Sequence, residues 1–217
     1  MKICSYTMTG DTGFAPNPFY NYCTLAACTP NHMNAQLCPK DYIAGFFTDR
    51  SDPYLVYWME VAVVLDYNSY FNDPRFHKRK PKMAGSWIAR CGDNIYFLDE
   101  SGNWTQAPTF YHQDEESIRK DIRYAKVYIG WKFGYFGKLA YSESNRLPQH
   151  LRTALKKGIG IKYTRESDLH FNDYLTWLDS KSLGRHGEPR DRGKHSSCYS
   201  GTKDCELSFS CRTRRCA

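Results

Sequence analysis

The sequence predicts an α+β fold: a curved or closed sheet, mixed or antiparallel, flanked by two or three helices. Three observations point there. Short runs rich in β-branched and aromatic residues recur between turn clusters. Two segments carry apolar residues at helical spacing. Aromatic residues make up 16% of the chain, with 17 tyrosines, enough to build both a core and a wet binding surface. The 217 residues suffice for one large domain or a domain with an extension.

Residues 2–9 alternate loosely and read as a first strand. Cys23-Thr24-Leu25-Ala26-Ala27-Cys28 is a short apolar run, a strand or one helical turn, ended by Thr29-Pro30. Asp41 to Phe47 reads as a strand, Asp49-Arg50-Ser51-Asp52-Pro53 as a turn, and Leu55 to Leu65 as the strongest strand. The chain then turns polar through Asn68-Ser69-Tyr70-Phe71-Asn72-Asp73-Pro74. Gly92-Asp93-Asn94 is a turn before the strand Ile95 to Leu98, and a second turn at 99–103 leads into Trp104. Gln113 to Tyr124 is charged, with Ile118 and Ile122 spaced by four, and predicts a helix. Ala125 to Phe136 reads as a strand whose glycines mark bulges or close approach. Leu147-Pro148 opens a short helix through Lys157. A last helix covers Ser167 to Ser180, with Leu169, Tyr174, Leu175 and Leu178 on one face. From Gly184 the pattern dissolves, and eight Lys/Arg stand against four Asp/Glu. The sequence thus divides into a domain over 1–183 and a basic, cysteine-bearing tail over 184–217 that is a candidate for disorder.

The formal charge of +7 and the pI near 8.9 favour a polyanionic partner such as nucleic acid. No apolar run reaches the ~18 residues of a membrane span. The start lacks a signal-peptide stretch, so the expected setting is cytoplasmic, with its nine cysteines reduced. Cys198, Cys205, Cys211 and Cys216 lack the close pairs of a zinc ribbon or finger, and no metal site is predicted. No phosphate loop or Ser/His/Asp order is present. Nothing in the sequence names a cofactor.

The most informative segment is Asp11-Thr12-Gly13-Phe14-Ala15-Pro16-Asn17-Pro18-Phe19. Its prolines stiffen the chain, and Gly13 opens a conformation closed to other residues. Such loops on rigid scaffolds carry function, although Asp11 can equally cap its own turn. This run is followed by Cys-Thr-Leu-Ala-Ala-Cys-Thr-Pro at 23–30, a short strand at 41–47, Leu-Val-Tyr-Trp-Met-Glu-Val at 55–61 and Tyr-Phe-Asn-Asp-Pro-Arg-Phe at 70–76. Gly92-Asp93-Asn94-Ile95-Tyr96 and Phe133-Gly134-Tyr135-Phe136-Gly137 complete the set. In this order the segments resemble the nucleotide modification associated domain 2 family of phages and bacteria, over roughly 1–180. The resemblance implies a place in a system that modifies DNA bases or serves a related defence. The chain departs from the family in carrying Thr29, Asn31 and His32 after the second cysteine, where basic residues are usual, and Lys40 before Asp41. The hairpin around Asp41 to Leu65 also resembles PUA-like β-barrels, which bind modified bases or RNA between aromatic walls; fold likeness alone does not give function.

On this reading Asp11, Thr12 and Asn17 read the polar edges of a base, and Phe19, Asn94, Tyr96 and Trp104 complete the pocket. Arg75, Lys78, Arg79, Lys80 and Lys82 neutralise phosphates, or form a solvated basic loop. A base read in duplex DNA must first leave the stack. An enzyme that installs or removes a modification is the alternative, with Asp11 or Asp93 as base or nucleophile and His112 as acid. A third possibility is a non-catalytic factor that sequesters a host protein or nucleotide. The expected partner is DNA, another nucleic acid or a nucleotide; oligomeric state is open.

Overall fold

A computed structural model describes residues 1–192. The chain runs β1 (Lys2–Thr7), β2 (Cys23–Leu25), α1 (Thr29–His32), β3 (Tyr42–Asp49), β4 (Asp52–Glu60), β5 (Val63–Asp66) and α2 (Tyr67–Asn72). After a 3-10 helix at Pro74–Arg79 come α3 (Trp87–Arg90), β6 (Tyr96–Leu98), β7 (Trp104–Gln106), α4 (Glu115–Arg123), β8 (Lys126–Gly130) and β9 (Phe133–Tyr135). Further 3-10 turns, one of them at Gln149–Ala154, precede β10 (Ile161–Arg165), α5 (Phe171–Asp179) and β11 (Gly184–Arg185). The main sheet has the order β10-β1-β3-β4-β9-β11. Its β1–β3 and β11–β9 pairs are parallel and the others antiparallel, so the sheet is mixed. The sheet is open, with β10 and β11 at its edges, and this corrects the expectation of a closed PUA-like barrel.

Two predicted strands each divide in two, for one reason. The run Leu55 to Leu65 leaves the main sheet at Val61-Ala62, where Val61 N–H still bonds the Asp41 carbonyl (2.7 Å) but Ala62 N–H bonds that of Ile129 (2.8 Å). β5 therefore belongs to a second sheet, ordered β2-β8-β5. The run Ala125 to Phe136 makes the return crossing at Trp131-Lys132, with β8 in the second sheet and β9 in the first. No break in pattern marks the first crossing, whereas Gly130 marks the second, where a Cβ would lie 2.5 Å from the Glu60 carbonyl. The β3–β4 hairpin turns as expected at Arg50-Ser51, both in the left-handed region (φ 45° and 78°), which suits the twist of the flanking strands.

The polar stretch after Asp66, to which the sequence assigned no element, is helical. Asp66 caps α2 by accepting the Ser69 N–H at 2.8 Å, and Asp73 caps the following 3-10 helix through the Arg75 N–H at 2.9 Å. The helix expected at 147–157 is a 3-10 turn at Gln149–Ala154. α5 lays Phe171, Tyr174 and Leu178 on the main sheet, and Tyr174 Oη meets Ser5 Oγ at 2.8 Å. Leu169 is not on that face; it precedes the helix and is 89% exposed. Residues 184–192, read as the start of a tail, return to the body: β11 pairs with β9, and Asp191 N–H bonds the Asp11 carbonyl at 2.7 Å. The tail cysteines Cys198, Cys205, Cys211 and Cys216 lie outside the described residues.

A buried polar knot joins these pieces. Arg79, 1% exposed, donates through Nη1 to the Asn17 carbonyl (3.1 Å), Asn17 Oδ1 (2.8 Å) and Thr24 Oγ1 (2.7 Å). Its Nη2 donates to the carbonyls of Phe19 and Tyr22. Asp93 Oδ1 lies 3.9 Å from Nη1, and Asp93 accepts the hydroxyls of Thr24 and Tyr70. Burial pushes the Asp93 carboxyl above its usual range, opposed first by Arg79. Removing one member strands the others in a fully buried site, so Arg79→Met should lower unfolding stability by about 3–5 kcal/mol. Urea denaturation measures this; a loss under ~1 kcal/mol would show that the knot is not what holds the loop.

Candidate functional site: a cleft under two histidines

Loop 9–15, the start of α1 and residues 111–112 enclose a cleft of about 230 Å³. Phe14 and Tyr111 stack along one wall, with ring centroids 4.5 Å apart. Thr9, Thr12 and Thr29 contribute hydroxyl-bearing side chains, and His32 and His112 close one end. No lysine or arginine lines the cleft.

Both imidazoles are held by one carboxylate. Asp121, fully buried, is 2.7 Å through Oδ1 from His32 Nε2 and 2.6 Å through Oδ2 from His112 Nδ1. The Tyr96 hydroxyl donates to Oδ2 at 2.6 Å, and Gln106 Nε2 donates to Tyr96 Oη at 3.1 Å. Burial pushes Asp121 up, but the hydrogen bonds from His112, His32 and Tyr96 outweigh it and hold the carboxyl below its usual range. An ionised carboxylate only accepts, so the ring nitrogens facing it carry the protons. In the neutral rings, His32 Nδ1 and His112 Nε2 are then the acceptors. His112 sits at φ 52°, and Gln106 Nε2 pins its carbonyl at 2.9 Å. Ala27, also in the cleft wall, sits at φ 44°. Non-glycine residues held this way concentrate at functional sites.

The structure redistributes the residues singled out from sequence. Thr12 and His112 meet in the cleft. Tyr96 stands behind it, holding Asp121. Asp11 does not line the cleft: Tyr135 Oη donates to both of its oxygens (2.8 and 2.7 Å), the Arg190 N–H donates to Oδ2 (3.2 Å), and its own N–H bonds Asp191 (2.9 Å). It fixes the loop from behind. Gly13 (φ 83°) shares this constraint, because a Cβ there would lie 2.8 Å from Pro189 Cγ. Asn17, Asp93 and Arg79 do come together, but in the buried knot. Asn94 is likewise internal, bonding the carbonyls of Tyr70 (3.1 Å) and Phe76 (3.3 Å). Trp104 packs edge-on to Tyr67 on the far side of Tyr96, and Phe19 borders a different groove. Of the basic run, Arg75 is forked to Asp73 (2.6 and 3.0 Å) and Lys80 lies 3.6 Å over the Phe71 ring, leaving Lys78 and Lys82 exposed.

Sequence reasoning missed His32 and Asp121. The signal for Asp121 is present: it falls between Ile118 and Ile122 on the same face of α4 and is the one buried residue of that helix. For His32, one histidine on a four-residue helix, no local pattern marks it. Among the described residues, no group of three or more His, Cys, Asp or Glu is arranged to hold a metal ion, and no helix is long and apolar enough to cross a membrane.

Fold and site together define a mixed-sheet α+β domain with a small aromatic cleft, lined by no lysine or arginine and served by a His–Asp–His cluster. The chain belongs to the nucleotide modification associated domain 2 family, whose sequence description matches residues 1–196. No curated protein and no solved structure matches it. The family places the chain with nucleotide modification.

Burial pushes Asp11 from 3.8 to about 6, with Tyr135 and the Arg190 N–H opposing and Asp191 adding to the rise. The folded state therefore holds this proton more tightly than the unfolded chain. Stability from this group is full below the unfolded value of 3.8 and is lost as pH rises through about 6. The loss should approach roughly 3 kcal/mol. Chemical denaturation from acid to neutral pH should show that slope in the native chain and its absence in Asp11→Asn; parallel curves for the two would refute it.

Proposed function

We propose that the cleft receives one nucleobase, presented by a nucleotide or by a polynucleotide with that base out of the stack, and that the domain recognises it within a nucleotide-modification system. The carrying observation is the His32–Asp121–His112 cluster at the end of an aromatic slot with no cationic lining. A slot of about 230 Å³ is smaller than the ~300–1,000 Å³ of sites for drug-sized ligands, and fits a base better than a whole nucleotide. Hydroxyls and fixed imidazoles read the edge of a base, Phe14 and Tyr111 contact its face, and phosphates stay outside.

The test is titration calorimetry with a panel of unmodified and modified nucleosides and their 5′-phosphates. One base should be preferred, and its nucleoside and monophosphate should bind within a few-fold of each other. His112→Gln should weaken binding about tenfold or more, the cost of an unpaired buried polar group, with the circular dichroism of the native chain. Binding that requires a triphosphate, or that ignores His112, would overturn the reading.

The hydrogen bonding of His112 to a buried, ionised carboxylate also favours a second reading, acid–base chemistry on the bound base. It keeps His112 and puts His32 and Asp121 in place of Asp11 and Asp93, whose side chains are bound elsewhere. Nucleoside mass spectrometry of DNA from cells expressing the native chain or His112→Gln separates the two: a product peak lost in the variant supports chemistry, and unchanged DNA supports recognition alone.

A further inference from the structure

A second surface lies on the other side of the proline-rich loop. Phe19, Tyr20, Ile88, Trp131, Leu183 and Arg185 border an open groove of about 550 Å³. Trp131 is 52% exposed at the crossing from β8 to β9, and Leu183 is 61% exposed. Tyr20 and Asn21 are consecutive non-glycine residues at positive φ (57° and 67°), a strained corner on the groove wall. Arginines lie over aromatic rings along this face: Arg185 over Phe19 at 5.5 Å, Arg192 over Trp87 at 4.4 Å and Arg90 over Phe110 at 5.9 Å. Phe19 meets Trp87 edge-on at 5.3 Å, which makes the face continuous. Among the described residues, Glu188 is the acid paired with Arg185 (3.0 Å) and Arg192 (3.9 Å), one carboxylate between two arginines. Phe110 immediately precedes Tyr111 and His112, so the Arg90 end of the face leads to the cleft.

We infer that this face is a docking track for a single-stranded polynucleotide, whose bases stack on Trp131 and whose phosphates meet Arg185, Arg192 and Arg90. An apolar partner would face three arginines with one glutamate between two of them, and an anion without rings would leave Trp131 and Tyr20 unused; a single strand offers both stacking faces and phosphates. The track goes beyond base recognition in the cleft and does not depend on it.

The experiment uses the full chain and fluorescence anisotropy with labelled DNA and RNA single strands of about 10 nucleotides and with a DNA duplex, over a range of salt. The basic residues beyond 192 are present in every sample, so differences between variants report the track. Trp131→Ala should weaken single-strand binding about tenfold, within the range for losing one stacked base. Arg90→Gln combined with Arg185→Gln should lower the log–log salt slope by about 1.4 for the two lost contacts. All three substitutions should leave nucleoside affinity unchanged, whereas His112→Gln should leave the salt slope unchanged. Comparing the DNA and RNA arms identifies which strand the track prefers. Native-like single-strand binding by Trp131→Ala, or duplex binding as tight as single-strand binding, would overturn the inference; loss of nucleoside binding alone would count against the cleft and not the track.

Discussion

One buried guanidinium fixes the geometry on which everything else in this domain rests. Arg79 reaches from a 3-10 helix into the interior and saturates carbonyls on both sides of the Pro18 turn, while Asp93 balances its charge and Thr24 links the two. A charge so placed needs strong partners, and both Nη groups find them in the loop, which favours this one solution. That solution ties residues 17–24 to residues 79 and 93, and so sets where loop 9–15 leaves the sheet. The C-terminal segment holds the other end, through Asp191 and the carboxyl of Asp11. The loop is stiff between these anchors, and its two faces serve different surfaces: Thr12 and Phe14 the cleft, Phe19 the open groove.

The cleft shows the same economy. Asp121 is a buried carboxylate whose desolvation is offset by two imidazoles and a phenol. It selects the protonated nitrogen of each ring. The second sheet carries part of this support, since β8 follows α4 and β2 leads to α1 and His32, while β6, paired with β7 in a separate two-stranded sheet, supplies Tyr96. The larger sheet holds most of the buried aromatic core and backs the site from below.

The α+β class, the first hairpin and the stiff loop were all legible from local chemistry: alternation, Gly and Pro, and caps. The change of sheet at Val61-Ala62 and Trp131-Lys132 was not, because Gly130 signals a close approach at the second crossing but only pairing distinguishes two sheets from one. Reading Asn17, Asp93, Asn94 and Arg79 as surface groups failed because polar residue types say nothing about burial. Their proximity in space is real, but it serves the interior. His112 could be found as a lone histidine after an aromatic pair. Its partner carries a weaker signal: Asp121 shares the face of Ile118 and Ile122, but on so charged a helix it reads as one more solvated acid until the fold turns that face inward.

The central claim is that Asp121 fixes two imidazoles with opposite tautomers at the end of a base-sized cleft. Nitrogen NMR of the chain labelled at histidine tests it most directly, with His32→Gln and His112→Gln used to assign the rings. The account predicts that neutral His112 carries its proton on Nδ1 and neutral His32 on Nε2, and that the preferred nucleoside shifts both rings at their opposite nitrogens. His112 protonated on Nε2, or rings that ignore every nucleoside while the chain stays folded, would contradict it.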